Sequence, residues 1–333
     1  MSPGPSLLAD PALRGILARG LDAPPRPETA RLAAYVARLF GPAVLALVHY
    51  GSHAQGSGAS PESAHDFFVI LEDYGRGYTA LTAALPTGYT AATASLLNRV
   101  LPPNVLSIAA PGEESQLRAK CAVICLRDLQ RACSARPRDL FTLARLFQQV
   151  HLVWVRDPEA RETVAECLLE ARARTFEWGR PFLPPAFDAK DYCRALLQTA
   201  YGAEIRPERE ERVGVLLEAQ RDTLIPIYGG LLGCLQGRGE LEREDGRFRD
   251  TRPPGPWLRL RARVFLARSK ARATLRWIKY VALYDDWLDY VVHKAERRGG
   301  VPIKLTPRER RWPLIFLWPK ALRVLGRHTE PRP

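Results

Sequence analysis

Val44-Leu45-Ala46-Leu47-Val48-His49-Tyr50-Gly51-Ser52 is followed, after a loop that ends at His65, by Asp66-Phe67-Phe68-Val69-Ile70-Leu71. Each segment contains an apolar run of strand length, so the two segments predict two buried β-strands. The intervening loop is rich in glycine and serine and contains a proline, which favours a turn over regular structure. The pattern therefore predicts a strand, a Gly-Ser turn, a loop and a second strand that opens with an aspartate.

This arrangement has a chemical interpretation. Glycine lets the backbone approach a phosphate closely, and the Ser52 hydroxyl adds a donor to the free N–H groups of the turn. Asp66 supplies the hard oxygen ligand that a Mg²⁺ ion on nucleotide phosphates requires. The pattern is typical of a nucleotidyltransferase site. A plain connecting loop, with Asp66 only capping a strand, is the alternative that these residues leave open.

The composition indicates a folded protein that is long enough for two domains. The chain has 333 residues, of which 46% are hydrophobic and 9% aromatic. Its first ten residues lack the basic start and apolar run of a signal peptide, and no window is long and apolar enough to span a bilayer. The six cysteines show neither zinc-ligand spacing nor a compact disulfide framework, so we expect free thiols in a cytoplasmic protein.

The basic residues are concentrated at the C-terminal end. From Pro256 onward there are nineteen Lys and Arg against six Asp and Glu, which accounts for the whole net charge of +13. Such an asymmetry predicts an anionic partner, either nucleic acid or a membrane surface. The tail mixes basic residues with apolar residues and tryptophan, which favours lipid over nucleic acid. The residues expected to contact the membrane are Arg310, Arg311, Trp312, Trp318 and Lys320.

Alternating helical and strand patterns predict an α+β chain with a mixed sheet. We expect, in chain order, a loose lead-in (1–27), a sheet-containing domain (28–156), a mostly helical domain (157–236), a charged linker (237–255) and a basic helical region (256–333). The last region either faces a membrane or packs on the first domain.

Four segments, taken in order, resemble one known family. They are Tyr50-Gly51-Ser52 with Asp66-Phe67-Phe68-Val69-Ile70-Leu71-Glu72-Asp73, Lys120-Cys121-Ala122-Val123-Ile124, Ala144-Arg145-Leu146-Phe147-Gln148-Gln149-Val150, and Ala200-Tyr201-Gly202-Ala203-Glu204-Ile205-Arg206. These segments resemble motifs of the mitochondrial CDP-diacylglycerol synthases, also called translocator assembly and maintenance proteins. The chain is similar to a divergent, bacterial member of that family.

The resemblance implies a nucleotidyltransferase (polymerase-beta-like) domain and a function in phospholipid biosynthesis. The implied reaction is the Mg²⁺-dependent transfer of a cytidylyl group from CTP to phosphatidate, which gives CDP-diacylglycerol and pyrophosphate. The enzyme would be cytoplasmic and peripherally associated with the inner (plasma) membrane. The implied site consists of Asp66 as metal ligand and catalytic residue, Lys120 as a second catalytic residue, and Tyr50, Gly51, Ser52, Tyr201, Glu204 and Arg206 as nucleotide-binding residues.

Several alternatives remain open at this point. Many nucleotidyltransferases carry a second aspartate two residues after the first, but Phe68 stands there, so a second metal ligand would come from elsewhere, with Asp128 as a candidate. Lys120 could be a solvent-exposed strand-end lysine, and Tyr201, Glu204 and Arg206 could form an interhelical ion pair. The acceptor could be soluble, or the chain could be a catalytically decayed scaffold that binds acidic partners.

The three histidines that flank the site are expected to be bystanders. The nucleophile of the implied reaction is already a phosphate, so the reaction does not need a general base. These histidines are His49, His53 and His65.

Overall fold

A computed structural model describes residues 7–57, 63–111, 117–203 and 210–283, together with Leu305, Thr306 and Arg308. Residues up to Trp277 form one compact unit, and residues from Ile278 onward form another. The first unit contains all the strands of the described part.

The chain forms a mixed five-stranded sheet and a separate hairpin. The strands are β1 (Val44–Tyr50), β2 (His65–Leu71), β3 (Asn104–Ala109), β4 (Arg118–Cys125), β5 (His151–Val155), β6 (Leu241–Glu244) and β7 (Arg247–Asp250). The large sheet has the order β3-β4-β2-β1-β5, and β6 pairs with β7. Strand β1 is antiparallel to β2 and β5, β2 is parallel to β4, and β4 is antiparallel to β3.

Helices make up most of the remaining regular structure. They are α1 (Pro11–Leu17), α2 (Pro27–Phe40), α3 (Ser52–Gln55), α4 (Tyr74–Ala84), α5 (Ala91–Val100), α6 (Leu126–Cys133), α7 (Leu143–Leu146), α8 (Pro158–Ala173), α9 (Thr175–Gly179), α10 (Ala189–Gly202), α11 (Glu210–Ala219), α12 (Arg221–Gly237) and α13 (Pro256–Leu283). The predicted α+β class with a mixed sheet is therefore confirmed.

The two strands predicted from the apolar runs form the centre of the sheet. Successive side chains of a strand point to opposite faces, and Phe67 and Phe68 are both fully buried, so both faces of β2 are covered. One hydrophobic cluster joins Tyr50 and Phe68 of the sheet to Tyr192 and Leu231 of the later helices. The sheet and the helical layer thus share one core across the position where a domain boundary was expected.

The register of the sheet brings three predicted site residues side by side. Tyr50 is paired with Asp66 across β1 and β2, and Asp66 is paired with Lys120 across β2 and β4. Strand β1 ends where β2 and β4 begin. The Gly-Ser turn after β1, the aspartate and the lysine therefore lie at the same end of the sheet.

Residues 7–21, within the expected lead-in, are packed against the rest of the fold. Asp10 caps α1 by accepting hydrogen bonds from two backbone N–H groups, and Leu13 and Leu17 are buried. The fully buried Arg172 of α8 holds this segment by donating to the carbonyls of Leu17 at 2.5 Å and Arg19 at 3.0 Å.

The expected linker also contains regular structure. Strands β6 and β7 are joined by Asp245-Gly246, and both turn residues have positive φ, as a tight hairpin turn requires. Leu241 and Phe248 are buried, and Asp250 forms an ion pair with Arg180. The Asp-Gly dipeptide was the available signal, but the surrounding charges concealed the short strands.

The first part of the basic C-terminal region packs on the segment that precedes α7. The buried Asp139 carboxylate accepts hydrogen bonds from Arg272 Nε and Arg276 Nη2, both at 2.6 Å. The Leu140 N–H donates to Ser269 Oγ at 3.0 Å. The arginines lower the pKa of Asp139 against the opposing effect of burial. This buried ion pair fixes α13 up to Trp277, and the membrane residues predicted at Arg310, Arg311, Trp312, Trp318 and Lys320 lie outside the described residues.

We predict that Arg172→Met lowers the free energy of unfolding by about 3 kcal/mol, because buried carbonyls lose their donor. Urea unfolding at neutral pH measures this loss. Arg174→Met is the matched control, since Arg174 lies two residues along the chain in partly exposed ion pairs with Glu170 and Glu177. The control substitution should lower the free energy of unfolding by less than about 1 kcal/mol. Equal losses in the two variants would contradict the assigned role of Arg172.

Candidate functional site

A cavity of about 190 Å³ lies at the end of the sheet where β1 ends. Its walls come from β1, the turn after it, β2, β4, the α7 region, α10 and α11. The lining residues are Tyr50, Gly51, Ser52, Gln55, Ser57, Asp66, Lys120, Ala144, Arg145, Gln148, Ala200, Tyr201, Arg212 and Leu216.

Six residues predicted for the site line this cavity. They are Tyr50, Gly51, Ser52, Asp66, Lys120 and Tyr201. Glu204 and Arg206, which were predicted to bind the nucleotide, lie outside the described residues. All four segments that carry the family resemblance contribute to the lining, although they span about 150 residues of sequence.

The closest approach in the site is between Gly51 and Asp66. Gly51 has φ +79° and ψ −167°, a conformation that almost only glycine adopts. A Cβ atom at this position would collide with the Asp66 carboxylate. Glycine is therefore required at position 51 for two reasons: the backbone conformation, and the space that the Asp66 carboxylate occupies.

The Asp66 carboxylate is placed in an environment that disfavours its charge. Burial raises its pKa, while the charges of Lys120, Arg145 and His53 act in the opposite direction. Asp66 is half-buried at the start of β2. A carboxylate whose pKa is raised by burial beside several cations is typical of a functional site.

Two arginines in the cavity wall were not assigned a role from the sequence. Arg145 stacks over the Phe141 ring, with its Cζ atom 3.8 Å from the ring centroid, and donates to the Phe141 carbonyl at 2.7 Å. Arg212 is an exposed residue of α11. Arg145 lies in a segment that carries the resemblance, whereas only tertiary structure brings Arg212 to the cavity.

The charge of the lining favours an anionic ligand. Lys120, Arg145 and Arg212 are cations, and Asp66 is the carboxylate among the described lining residues. Serine and tyrosine hydroxyls add further hydrogen-bond donors. A ligand with several phosphate oxygens would match this set of donors and charges.

Buried carboxamides connect the turn after β1 to the helical layer. Gln148 Oε1 accepts hydrogen bonds from Gln55 Nε2 at 3.1 Å and from Gln220 Nε2 at 3.2 Å. The next residue, Gln149, donates to the Ala54 carbonyl at 2.9 Å and accepts from Thr223 at 3.1 Å. The network links α3 to α11 and α12 across the floor of the cavity. It therefore holds the walls of the cavity in a fixed relation.

The histidines lie beside the cavity and not in its lining. His53 stacks on His65 with 4.1 Å between ring centroids, and His49 lies 5.4 Å from His65. Burial, reinforced by the neighbouring imidazoles, lowers the pKa of His49 to about 3. Burial is also the main cause that lowers the pKa of His65 to about 4. Both rings are therefore neutral at physiological pH.

The fit of a Mg²⁺ ion to the site rests on Asp66. Within the described ranges, no group of three or more His, Cys, Asp and Glu residues could hold a metal ion by itself. Mg²⁺ in nucleotide sites usually needs only one or two carboxylates, because phosphates and water supply the other ligands. A single carboxylate among cations therefore fits a Mg²⁺ ion that arrives with a polyphosphate.

The prediction that Asp128 could supply the second metal ligand is wrong. It lies on α6, which begins where β4 ends, so it belongs to the end of the sheet opposite Asp66. Its carboxylate accepts a hydrogen bond from the Tyr74 hydroxyl at 2.8 Å. Asp128 therefore fixes α6 to α4.

No protein-family model matches this chain, and no curated protein matches it. Within the part of the chain that the structure describes, no helix combines the length and apolarity that a membrane span requires.

We predict that Gly51→Ala costs at least about 1 kcal/mol more free energy of unfolding than Gly56→Ala. Gly56 also has a positive φ, but it adopts the left-handed helical conformation, and a Cβ there would meet no atom within 4 Å. Urea unfolding of both variants measures the difference. Equal costs would mean that the Asp66 carboxylate does not occupy the space beside Gly51.

We predict that acid destabilises the protein through its buried neutral histidines. The folded-state pKa of His49, about 3, lies below its unfolded value, so the unfolded chain binds more protons as pH falls below about 6.5. Stability should therefore fall as pH is lowered, by about 2 kcal/mol per such histidine between pH 7 and pH 5. His49→Phe should reduce this loss by that amount in urea unfolding at the two pH values. An unchanged pH dependence would contradict the prediction.

Proposed function

We propose that the chain is a Mg²⁺-dependent nucleotidyltransferase that transfers a cytidylyl group from CTP to phosphatidate. The observation that carries the proposal is that all four segments with the family resemblance meet around one cationic cavity. The mixed sheet, with a Gly-Ser turn after β1 and an aspartate on the adjacent β2, supports assignment to the nucleotidyltransferase (polymerase-beta-like) fold.

The reaction is an in-line displacement at phosphorus. An oxygen of the acceptor phosphate forms a bond to the α-phosphorus of CTP, and the bond to the leaving pyrophosphate breaks. Positioning and neutralisation of charge contribute most of the catalysis in such reactions. The nucleophile is already an anion, so the proposal assigns no base role to the neutral histidines beside the cavity.

The lining residues divide these tasks. Lys120, Arg145 and Arg212 neutralise phosphate charge, and the backbone of Gly51 with the Ser52 hydroxyl binds phosphate oxygens. Asp66 would hold the Mg²⁺ ion, which when bound supplies Lewis-acid neutralisation of the polyphosphate.

Support for a membrane-bound acceptor comes from α13. Three apolar residues at helical spacing near its start are exposed: Trp257 at 77%, Leu260 at 51% and Val264 at 61%. Arginines lie between them, and Pro256–Leu283 contains no acidic residue. Apolar side chains beside cations are the features by which a peripheral helix binds an anionic lipid surface.

The central test uses purified protein, CTP, MgCl₂ and vesicles that contain phosphatidate, with CDP-diacylglycerol and pyrophosphate as the measured products. We predict that Asp66→Asn lowers the rate at least about 100-fold. The same variant should raise the urea midpoint at pH 7, because a folded-state pKa raised by burial means that the charged carboxylate destabilises the fold above that pKa.

Glu72→Gln is the matched control for this test. It also removes a carboxylate, but Glu72 is exposed and pairs with Arg76 and Arg156. Its activity and stability should stay close to those of the wild type. Full activity of Asp66→Asn would overturn the metal assignment.

The same assay separates the alternative functions. Product formed equally well with a soluble phosphate acceptor and without vesicles would favour a soluble substrate. Absence of Mg²⁺-dependent CTP binding in calorimetry would favour a decayed scaffold.

We predict that replacing Trp257 and Leu260 together by serine weakens sedimentation with phosphatidylcholine vesicles that contain phosphatidate by at least about fivefold. Leu96→Ser is the control, because Leu96 is 62% exposed on α5 but is not part of the cationic helix. Raised salt should also weaken the wild-type interaction, since exposed charges are screened. Unchanged sedimentation of the double variant would exclude this face of α13 as the lipid contact.

A further inference from the structure

One serine in the cavity wall, Ser57, lies just beyond the Gly51–Ser52 turn and α3. Ser57 lines the cavity and is only 3% exposed. Within the part of the chain that the structure describes, its buried Oγ atom has no hydrogen-bond partner. A buried hydroxyl without a partner costs free energy, so native structures seldom retain one without a reason.

The local backbone fixes this hydroxyl beside the Gly-Ser turn. Gly56, with φ +67°, ends the single turn of α3 and reverses the chain. The Ser57 N–H then donates to the Ser52 carbonyl at 3.2 Å. Ser52 and Ser57 are therefore joined by a backbone hydrogen bond, and both residues line the same cavity.

The neighbouring carboxamide does not accept the Ser57 proton. Gln148 Oε1 already accepts hydrogen bonds from Gln55 and Gln220, which use both of its lone pairs. Its Nε2 donates to the Ala144 carbonyl at 2.6 Å. The cationic side chains of the lining, such as Lys120, are donors only. Within the described residues Ser57 Oγ has no acceptor, and a phosphate oxygen bound in the cavity would supply one.

We propose that Ser57 is a substrate-binding residue whose hydroxyl donates a hydrogen bond to a phosphate oxygen in this cavity. This inference rests on the proposed function, and it adds a ligand contact beyond the Gly51–Ser52 turn. The phosphate belongs either to the nucleotide or to the acceptor headgroup, and the chemistry of recognition is the same in both cases.

The test is isothermal titration calorimetry of the full chain in buffer that contains MgCl₂. Two probes, tripolyphosphate and sn-glycerol 3-phosphate, are titrated separately. Ser57→Ala should bind one or both probes about tenfold more weakly, which corresponds to about 1.4 kcal/mol. Ser57→Cys, which retains a side chain of similar shape but only a weak donor, should show a comparable loss. Weaker binding of tripolyphosphate would assign the contact to the nucleotide. Weaker binding of glycerol 3-phosphate would assign it to the acceptor.

Thermal unfolding of the unliganded variants distinguishes a binding role from a structural one. Ser57→Ala should unfold at the same temperature as the wild type or higher, because it removes a buried hydroxyl that has no partner. Ser95→Ala is the matched control, since Ser95 is also buried but donates to the Ala91 carbonyl at 2.7 Å on α5. The control should unfold at a lower temperature and bind both probes normally.

Two results would overturn the inference while leaving the proposed function intact. These are unchanged affinity of Ser57→Ala for both probes, and a fall in its unfolding temperature like that of Ser95→Ala without weaker binding. Failure of the wild type to bind either probe or to form product would overturn the proposed function and this inference together.

Discussion

The close approach of the Gly51 backbone to the Asp66 carboxylate is the constraint on which this end of the molecule depends. The β1–β2 register places Tyr50 opposite Asp66, so the residue that follows Tyr50 must pass beside the carboxylate. Only a residue without a side chain can do so. The turn, the one-turn helix α3 and the reversal at Gly56 follow from this passage, and together they form one wall of the cavity.

Buried polar groups hold the opposite walls at the correct distance. The glutamines that join α3 to α11 and α12 are hydrogen-bonded to one another, and Arg172 joins the N-terminal segment to the same region through the Gln148 carbonyl. Such groups are costly unless every partner is in place, so they favour a single arrangement of the helical layer over the sheet. Ser57 Oγ is one of the buried polar atoms without a hydrogen-bond partner in the described part of the chain, and Ser57 lines the cavity.

Much of the framework could be predicted from local sequence, but the completed cavity could not. The apolar runs predicted β1 and β2. Helix α4 has only a weak local signal because Gly75 and Gly77 reduce helix propensity, although Asp73 caps it and Gly77 packs closely against Leu71. Arg212 and Ser57 carry no local signal, because their significance comes from contacts between distant segments.

The segments that line the cavity are far apart in the sequence, so they are synthesised at different times. Its wall begins at Tyr50 and is complete only with Leu216 of α11. During synthesis, the first strands and the Asp66 carboxylate leave the ribosome well before the residues that enclose them. A phosphate-bearing ligand that contacts both ends of this span would bind the finished fold and not a partial one. By mass action, the cellular pool of such a ligand would then favour completion of the fold.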